Sequence, residues 1–460
     1  MAGAGAVDIG RGSRLAELSL KRGQAVIIVD TALKKREQEG RPVTVAMVGA
    51  GYMARGIALE IISAMRGMRL VGIANRNVAQ AELAYSQAGI TAHRAGGSVA
   101  AIEQAIAAGR HVVTDDPTLL CRAGGIDAII ESTGDVEVGA QIALEAIRNG
   151  KHVILMNAEV DASVGPILKV HADRAGVVYT YTDGDEPGVA MNLFRFVDSI
   201  GYKPVLLGQI KGFLNRYRNP ETQREFAERH KQKPAMVASF ADGSKLALES
   251  AIIGNATGFL PGIRGMYGHE CAHVKDLLTK FSPQDFAKGG LVDFVLGAEP
   301  HTGAFVMGYN DEPIKREYMK YFKMGEGPLY MFYTPYHLPH LQLPHTVARA
   351  VLFQDATLTP IGAPVCDTVA MAKKDLAAGE MLDGMGGFAC YGLIDSYATC
   401  SAADYLPMAL SVGCRLKRAI AKDQPISYRD VELPAGRVCD RLRAEQTEHF
   451  RDRQARRSAG

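Results

Sequence analysis

A chain of 460 residues is longer than one hydrophobic core ordinarily organises, so two or three domains are expected. Hydrophobic residues make up 47% and charged ones 22%, the balance of a globular enzyme and not of a disordered or fibrous chain. A formal net charge of +2 gives no global attraction to nucleic acid or to an anionic membrane, so neither is expected as a partner. The seven cysteines (Cys121, Cys271, Cys366, Cys390, Cys400, Cys414 and Cys439) are scattered without a C-x-x-C pair, as in reduced cytoplasmic proteins. No apolar run approaches the roughly 20 residues of a membrane helix, and no basic stretch leads into an apolar signal segment.

Residues 1–40 predict a helical arm, with Leu15, Leu18, Ala25, Ile28, Val29 and Leu33 at helical spacing. From Val43 the pattern changes to a buried strand, a glycine turn, a helix over Tyr52–Met65 and a second strand over Leu70–Ala74, which together make a β-α-β unit. The turn reads Gly49-Ala50-Gly51-Tyr52-Met53-Ala54, a G-x-G-x-x-A between strand and helix. Gly49 permits the tight turn, Gly51 lets a pyrophosphate approach the backbone, and Ala54 is small enough for close packing; Tyr52 and Met53 open the helix whose amides face the phosphates. An ordinary glycine turn is the alternative.

Where NAD-binding domains usually carry a carboxylate for the ribose, Asn75-Arg76-Asn77 stands instead. A guanidinium pairs with a 2′-phosphate, so NADPH is expected, unless Arg76 is merely a solvated surface residue. Strands at Asp127–Ile130 and His152–Met156 flank a helix across Val138–Asn149. Glu131-Ser132-Thr133-Gly134 follows the first of these strands and Gly150-Lys151-His152-Val153 precedes the second, both where the nicotinamide half of the cofactor would lie, and Asn157 is a further candidate to bind the cofactor. Residues 41–180 are therefore read as a Rossmann dinucleotide-binding domain.

After a strand at Val177–Thr180, Asp183, Asp185 and Glu186 share one tight loop. Such carboxylates suit Mg²⁺ or Mn²⁺, or else they cap the next helix and solvate the turn. Apolar runs at Val205–Ile210 and Ser250–Ile253 are separated by loops. Lys211 and Lys245 are candidates to polarise a carbonyl or exchange a proton. A basic cluster including Arg216, Arg218, Lys231 and Lys233 either grips a substrate phosphate or is a solvated face. His269-Glu270-Cys271-Ala272-His273 matches the H-E-x-x-H zinc signature, with Glu299 as a third ligand, or is a helix through Lys280 carrying two histidines by chance. His337, His340 and His345 alternate with Pro335, Pro339 and Pro344, which predicts an extended loop that either lines the active site or carries core and surface histidines. These features occupy a catalytic region over residues 181–355. Short strands and turns then fill a small α+β module at 356–440, and the charged stretch 441–460 reads as a frayed tail.

The glycine turn, Glu131-Ser132-Thr133-Gly134 and Gly150-Lys151-His152-Val153-Ile154 resemble homoserine-dehydrogenase-like reductases, although Met156-Asn157-Ala158-Glu159 departs from the lysine-bearing motif usual there. Val369 to Glu380 and Val412 to Ile420 resemble an SAF (antifreeze-like) module. The whole layout is similar to the deoxyxylulose-phosphate-reductoisomerase-like (DRL) enzymes. That resemblance implies an α/β fold: a Rossmann domain, an α+β catalytic and dimerisation domain, and a small SAF-like domain. It implies a cytoplasmic homodimer using NADPH and a divalent metal to convert 1-deoxy-D-xylulose 5-phosphate, a small phosphorylated sugar, to 2-C-methyl-D-erythritol 4-phosphate in isoprenoid precursor synthesis. Asp183, Asp185 and Glu186 would then hold the metal, Arg216, Arg218, Lys231 and Lys233 the phosphate, and Lys211 or Lys245 would move protons. Two other readings are an NADP-dependent homoserine-dehydrogenase-like oxidoreductase on another small hydroxy or sugar substrate, and an NADPH-binding sensor.

Overall fold

A computed structural model describes residues 28–94 and 97–458. The expected arm at 1–40 therefore lies mostly outside the described residues; its last part is a helix over Ile28–Gln38.

The first sheet is built from β1 (Val43–Val48), β2 (Met68–Ala74), β3 (His93–Arg94), β4 (Val112–Thr114), β5 (Ala128–Glu131), β6 (His152–Leu155) and β7 (Tyr179–Tyr181). Its order is β3-β4-β2-β1-β5-β6-β7, with every pair parallel. The central strands β1, β2 and β5 are apolar and almost wholly buried, as strands covered on both faces by helices must be. Strand order reverses between β1 and β5, which opens a crevice at their carboxyl ends.

Past β7, the helix Glu186–Ser199 leads into a second sheet made of β8 (Lys203–Lys211), β9 (Leu260–Pro261), β10 (His269–Glu270), β11 (Leu291–Leu296), β12 (Ala304–Tyr309) and β13 (Leu329–Thr334). Its order is β10-β11-β8-β12-β13, with β9 beside β11. β10, β11 and β8 run parallel, whereas β12 and β13 are antiparallel. Val205, Ile210, Val295, Phe305 and Met307 form a core on one face with Val274 and Leu277. On the other face Leu207, Val292, Ala304 and Val306 join the main core, which also holds the helix Ser244–Thr257. That helix absorbs Ser250–Ile253, which the alternation of loops and apolar runs left unassigned; it is buried along nearly its whole length.

Three local expectations are corrected. The proline-histidine run is not an extended loop, because Pro339–Phe353 is helical. Pro339 sits at the first helical position, where no N–H is needed, and Pro344 forgoes one bond while Leu343, Val347 and Ala350 bury against the first domain. The H-E-x-x-H segment is not a helix: His269–Glu270 is a strand, and His273 caps a short 3₁₀ turn. The charged tail is not frayed, because Val438–Ser458 is a helix. Its sparse buried residues, Cys439, Leu442, Gln446 and Phe450, fall on one stripe that packs on the helices Val136–Arg148 and Ala158–Ala175. Glu137 accepts from the amides of Val438 and Cys439, which caps it.

The C-terminal module pairs β14 (Cys366–Ala372) with β15 (Cys390–Ser396), and β16 (Arg415–Leu416) with β17 (Val431–Glu432). Lys373, buried, fastens it to the catalytic region by donating to Asp242 Oδ2 at 2.8 Å and to the Arg218 and Gly387 carbonyls at 2.7 Å each. Among the described residues no helix is long and apolar enough to cross a membrane.

Candidate active site

The crevice at the switch point has the shape a pyrophosphate needs. Gly49 adopts φ +108°, and a Cβ there would stand 2.8 Å from the Ser132 carbonyl oxygen, so only glycine fits. A Cβ on Gly51 would meet nothing within 4 Å, which leaves the head of the helix Tyr52–Ser63 open. Ala54 is buried below it, while Tyr52 is exposed and Met53 half-buried. Across the crevice Ser132 donates its hydroxyl to the Val48 carbonyl at 2.9 Å, tying the ends of β5 and β1 together. Thr133 donates its amide and hydroxyl to buried Glu131, and Gly134 takes φ +66°. Asn157 is fully buried: it accepts from the Val160 amide and donates to the Asp135 carbonyl. It therefore shapes the turn and offers no free group to a cofactor. At the end of β2, Asn75 donates to the Asn77 carbonyl at 2.8 Å, and exposed Arg76 makes no hydrogen bond or ion pair among the described residues.

Beyond the ends of β6, β7 and β8 lies a cluster of buried charge. Lys211, the last residue of β8, donates to Glu186 Oε1 at 2.6 Å and stands 3.9 Å from Glu249 Oε2. Lys245, one turn before Glu249 on the same helix, is 3.9 Å from Glu249 Oε1. His337 Nδ1 is 3.0 Å from the Thr302 hydroxyl and 4.0 Å from Glu186 Oε1. Burial alone would discharge these groups, and the neighbours decide which resist. Burial lowers the Lys211 ammonium, but Glu186 and Glu249 outweigh it and hold its pKa above the ordinary value. Lys245 is raised likewise: burial opposes charge, and Glu159, Glu249, Asp185 and Glu186 overcome it. Burial also pushes Glu186 up, yet Lys211 and His337 bring it below the usual range. Glu249 goes the other way, raised far by burial and by its neighbours Glu186 and Asp185. The cluster thus favours charge on both lysines and on Glu186 and disfavours it on Glu249.

Asp185 and Glu186 meet here, but Asp183 does not join them. Its Oδ1 accepts from the Gly184 amide and from Asn192, and Arg349 lies 3.9 Å from its other oxygen, so it organises the loop. His337 takes the third place: one ligand atom each from Asp185, Glu186 and His337 lies within 4.8 Å of the others. Two oxygens and an imidazole suit a divalent ion in donor type. Asp185 Oδ2 already accepts from Tyr181 at 2.6 Å and Glu186 holds Lys211, so an ion would compete with Lys211 for Glu186.

The basic residues expected to bind phosphate are dispersed. The Arg216 guanidinium lies 5.9 Å from the Tyr391 ring and that of Arg218 5.3 Å from the Phe213 ring, while Lys231 and Lys233 are exposed in the loop between the helices Arg224–Arg229 and Pro234–Ala241. His269 stacks on Tyr267, and the His273 ring caps its own turn, which leaves no converging zinc set in H-E-x-x-H. Sequence reasoning missed Glu249 and gave His337 no ligand role, reading its run as an active-site loop or as core and surface histidines. The i, i+4 spacing of Lys245 and Glu249 was the available signal for the first; nothing local pointed to the second.

A dinucleotide crevice with a lysine–carboxylate cluster beyond the carboxyl ends of β6 and β7 is the arrangement that nicotinamide-dependent redox chemistry uses. Residues 49–179 match the family model described as homoserine dehydrogenase, NAD binding domain, and residues 184–343 match oxidoreductase DRL, catalytic domain. The second match spans Lys211, Glu186, Glu249, Lys245 and His337. Both matches end before the small C-terminal module. No curated protein is similar enough to be matched. Similar solved structures include an NAD binding oxidoreductase from Klebsiella pneumoniae at 18% identity and TM-score 0.27, covering 39% of this chain and 45% of that one. A probable dehydrogenase from Thermotoga maritima is 11% identical at TM-score 0.38, covering 70% and 91%. An apo scyllo-inositol dehydrogenase from Lactobacillus casei is 11% identical at TM-score 0.40, covering 68% and 89%. The chain spans less than half the length of the first, and likenesses this remote say nothing of substrate.

Proposed function

We propose that the protein is an NADPH-dependent reductase, reversible as a dehydrogenase, acting on a small hydroxylated carbonyl compound. The observation that carries this is the buried Lys211–Glu186–Glu249–Lys245 network beyond the carboxyl ends of β6 and β7. Bound nicotinamide supplies the hydride. The chain's own residues handle the oxygen: a lysine ammonium donates to the carbonyl oxygen as it gains charge, and Glu249, 3.9 Å from both lysines, stands where it can relay a proton to them. Unpaired Arg76 supports NADPH over NADH. Replacing Lys245 or Lys211 with methionine is expected to lower kcat about 10²–10⁴-fold while NADPH affinity in calorimetry changes little. Full activity in both variants would refute the assignment.

The match to a DRL catalytic domain and the Asp185, Glu186 and His337 group favour a second, more specific reading. Here a divalent ion held by those three would polarise two substrate oxygens, and 1-deoxy-D-xylulose 5-phosphate would be rearranged and reduced. NADPH oxidation with that ketose, dependent on added Mn²⁺, is its expected signature. Equal turnover with chelator present would remove the metal from it, and no turnover would remove the reaction. A cofactor-binding sensor predicts NADPH binding with no turnover of any polyol or ketose.

A further inference from the structure

A cavity of about 560 Å³ opens beside the cluster, lined by Gly212, Phe213, Leu214, Glu270, Cys271, Ala272, Leu296 and Gly297. Its volume is that of a small-ligand site. Three parallel strands end at it, and Glu270, Leu296 and Lys211 form one row across β10, β11 and β8. Lys211 is thus two strands away from Glu270 on a shared face, and the amide of Gly297 donates to the Lys211 carbonyl at 2.8 Å. On the opposite side a Cβ on Gly243 would stand 3.0 Å from Leu214, and Gly243 opens the helix that carries Lys245 and Glu249. The cavity therefore begins at the residue after Lys211 and has on its Leu214 side the start of the helix that carries Lys245.

Its chemistry differs from that of a phosphate site. No lysine, arginine or histidine is among its lining residues, and the one carboxylate, Glu270, is exposed without a hydrogen bond or ion pair among the described residues. The Arg218 guanidinium lies over the Phe213 ring, 5.3 Å from its centroid. Walls of mixed polar and apolar character with a single free carboxylate accept hydroxyl donors and repel anions. We infer that this cavity seats the non-reacting end of the substrate and that this end is an uncharged, hydroxylated carbon chain, not a phosphate ester. The inference rests on the reading of Lys211 and Lys245 as the proton-transfer groups.

Cys271 reports on the cavity directly, since it alone among the seven cysteines is not buried. The intact protein with NADP⁺ is treated with N-ethylmaleimide, and labelling of Cys271 is followed with sorbitol, xylitol and glucose and with their monophosphate esters; Cys271→Ser identifies the signal. Neutral compounds are expected to protect at concentrations about tenfold or more below their esters, and Glu270→Arg to narrow or invert that ratio. The same ratio is expected in kcat/KM for whichever pairs turn over. Better protection by the esters, protection by no neutral compound, or a ratio unmoved in Glu270→Arg would overturn the inference. If esters win while Lys245→Met is inactive, only the cavity assignment falls; if Lys245→Met is fully active, the underlying function falls.

Discussion

Arg76 stands at the end of β2 with no protein partner among the described residues, where a ribose 2′-phosphate would reach it. A charge-assisted hydrogen bond contributes about 1.5–3 kcal/mol, so Arg76→Ala should reduce the preference for NADPH over NADH about ten- to a hundredfold. Paired titrations of both cofactors would check this, and an unchanged ratio would show Arg76 to be a bystander. Gly49, Gly51 and Ala54 were legible in the sequence because their positions admit so little else: one needs a positive φ and the others need open or tight space. The three acids of the Asp183–Glu186 loop were not separable in that way. Composition gives each the same ligand chemistry, and only the Gly184 amide, Asn192 and Arg349 take Asp183 out of the group.

At the scale of elements, the helix Ala158–Ala175 buries Asp161 without a cation beside it. Asp161 accepts from Tyr179 at 2.7 Å, and burial pushes its pKa up to about 7. Burial does the same to Glu131, also to about 7, against the hydrogen bonds from Thr133. The folded chain therefore keeps protons that the unfolded chain releases near 3.8 and 4.5. Stability from these groups is full below those values and is lost as pH rises through about 7. Asp161→Asn should flatten the fall in Tm between pH values on either side of that point; an unaltered pH profile would mean that Asp161 is charged throughout. Strand and helix periods made most elements of the first sheet legible. They failed where burial on all sides erased the period, as in Ser244–Thr257, and where proline counts outweighed position, as in Pro339–Phe353.

Across the whole molecule, the C-terminal helix closes the structure far from the reaction. Arg443 pairs with buried Asp367 and donates to the Ser163 carbonyl, and Gln446 accepts from the Ile167 amide. Phe450 is 1% exposed, so Phe450→Ala should cost about 3–5 kcal/mol in urea unfolding while leaving NADPH affinity intact. A loss under about 0.5 kcal/mol, the range of ordinary surface substitutions, would contradict its role as an anchor. Such long-range packing is invisible to a local reading, which saw only charge. The meeting of Lys211, Glu186, Glu249, Lys245 and His337 is equally a product of tertiary structure, since they come from a strand end, two helices and a loop. Its role is tested most directly by following deuterium from ring-labelled NADPH into a hydroxylated carbonyl compound. The wild-type chain should place label on the product carbon, and Lys245→Met should lose that transfer while still binding NADPH. No label with the wild type, or an equal rate in the variant, would contradict the account.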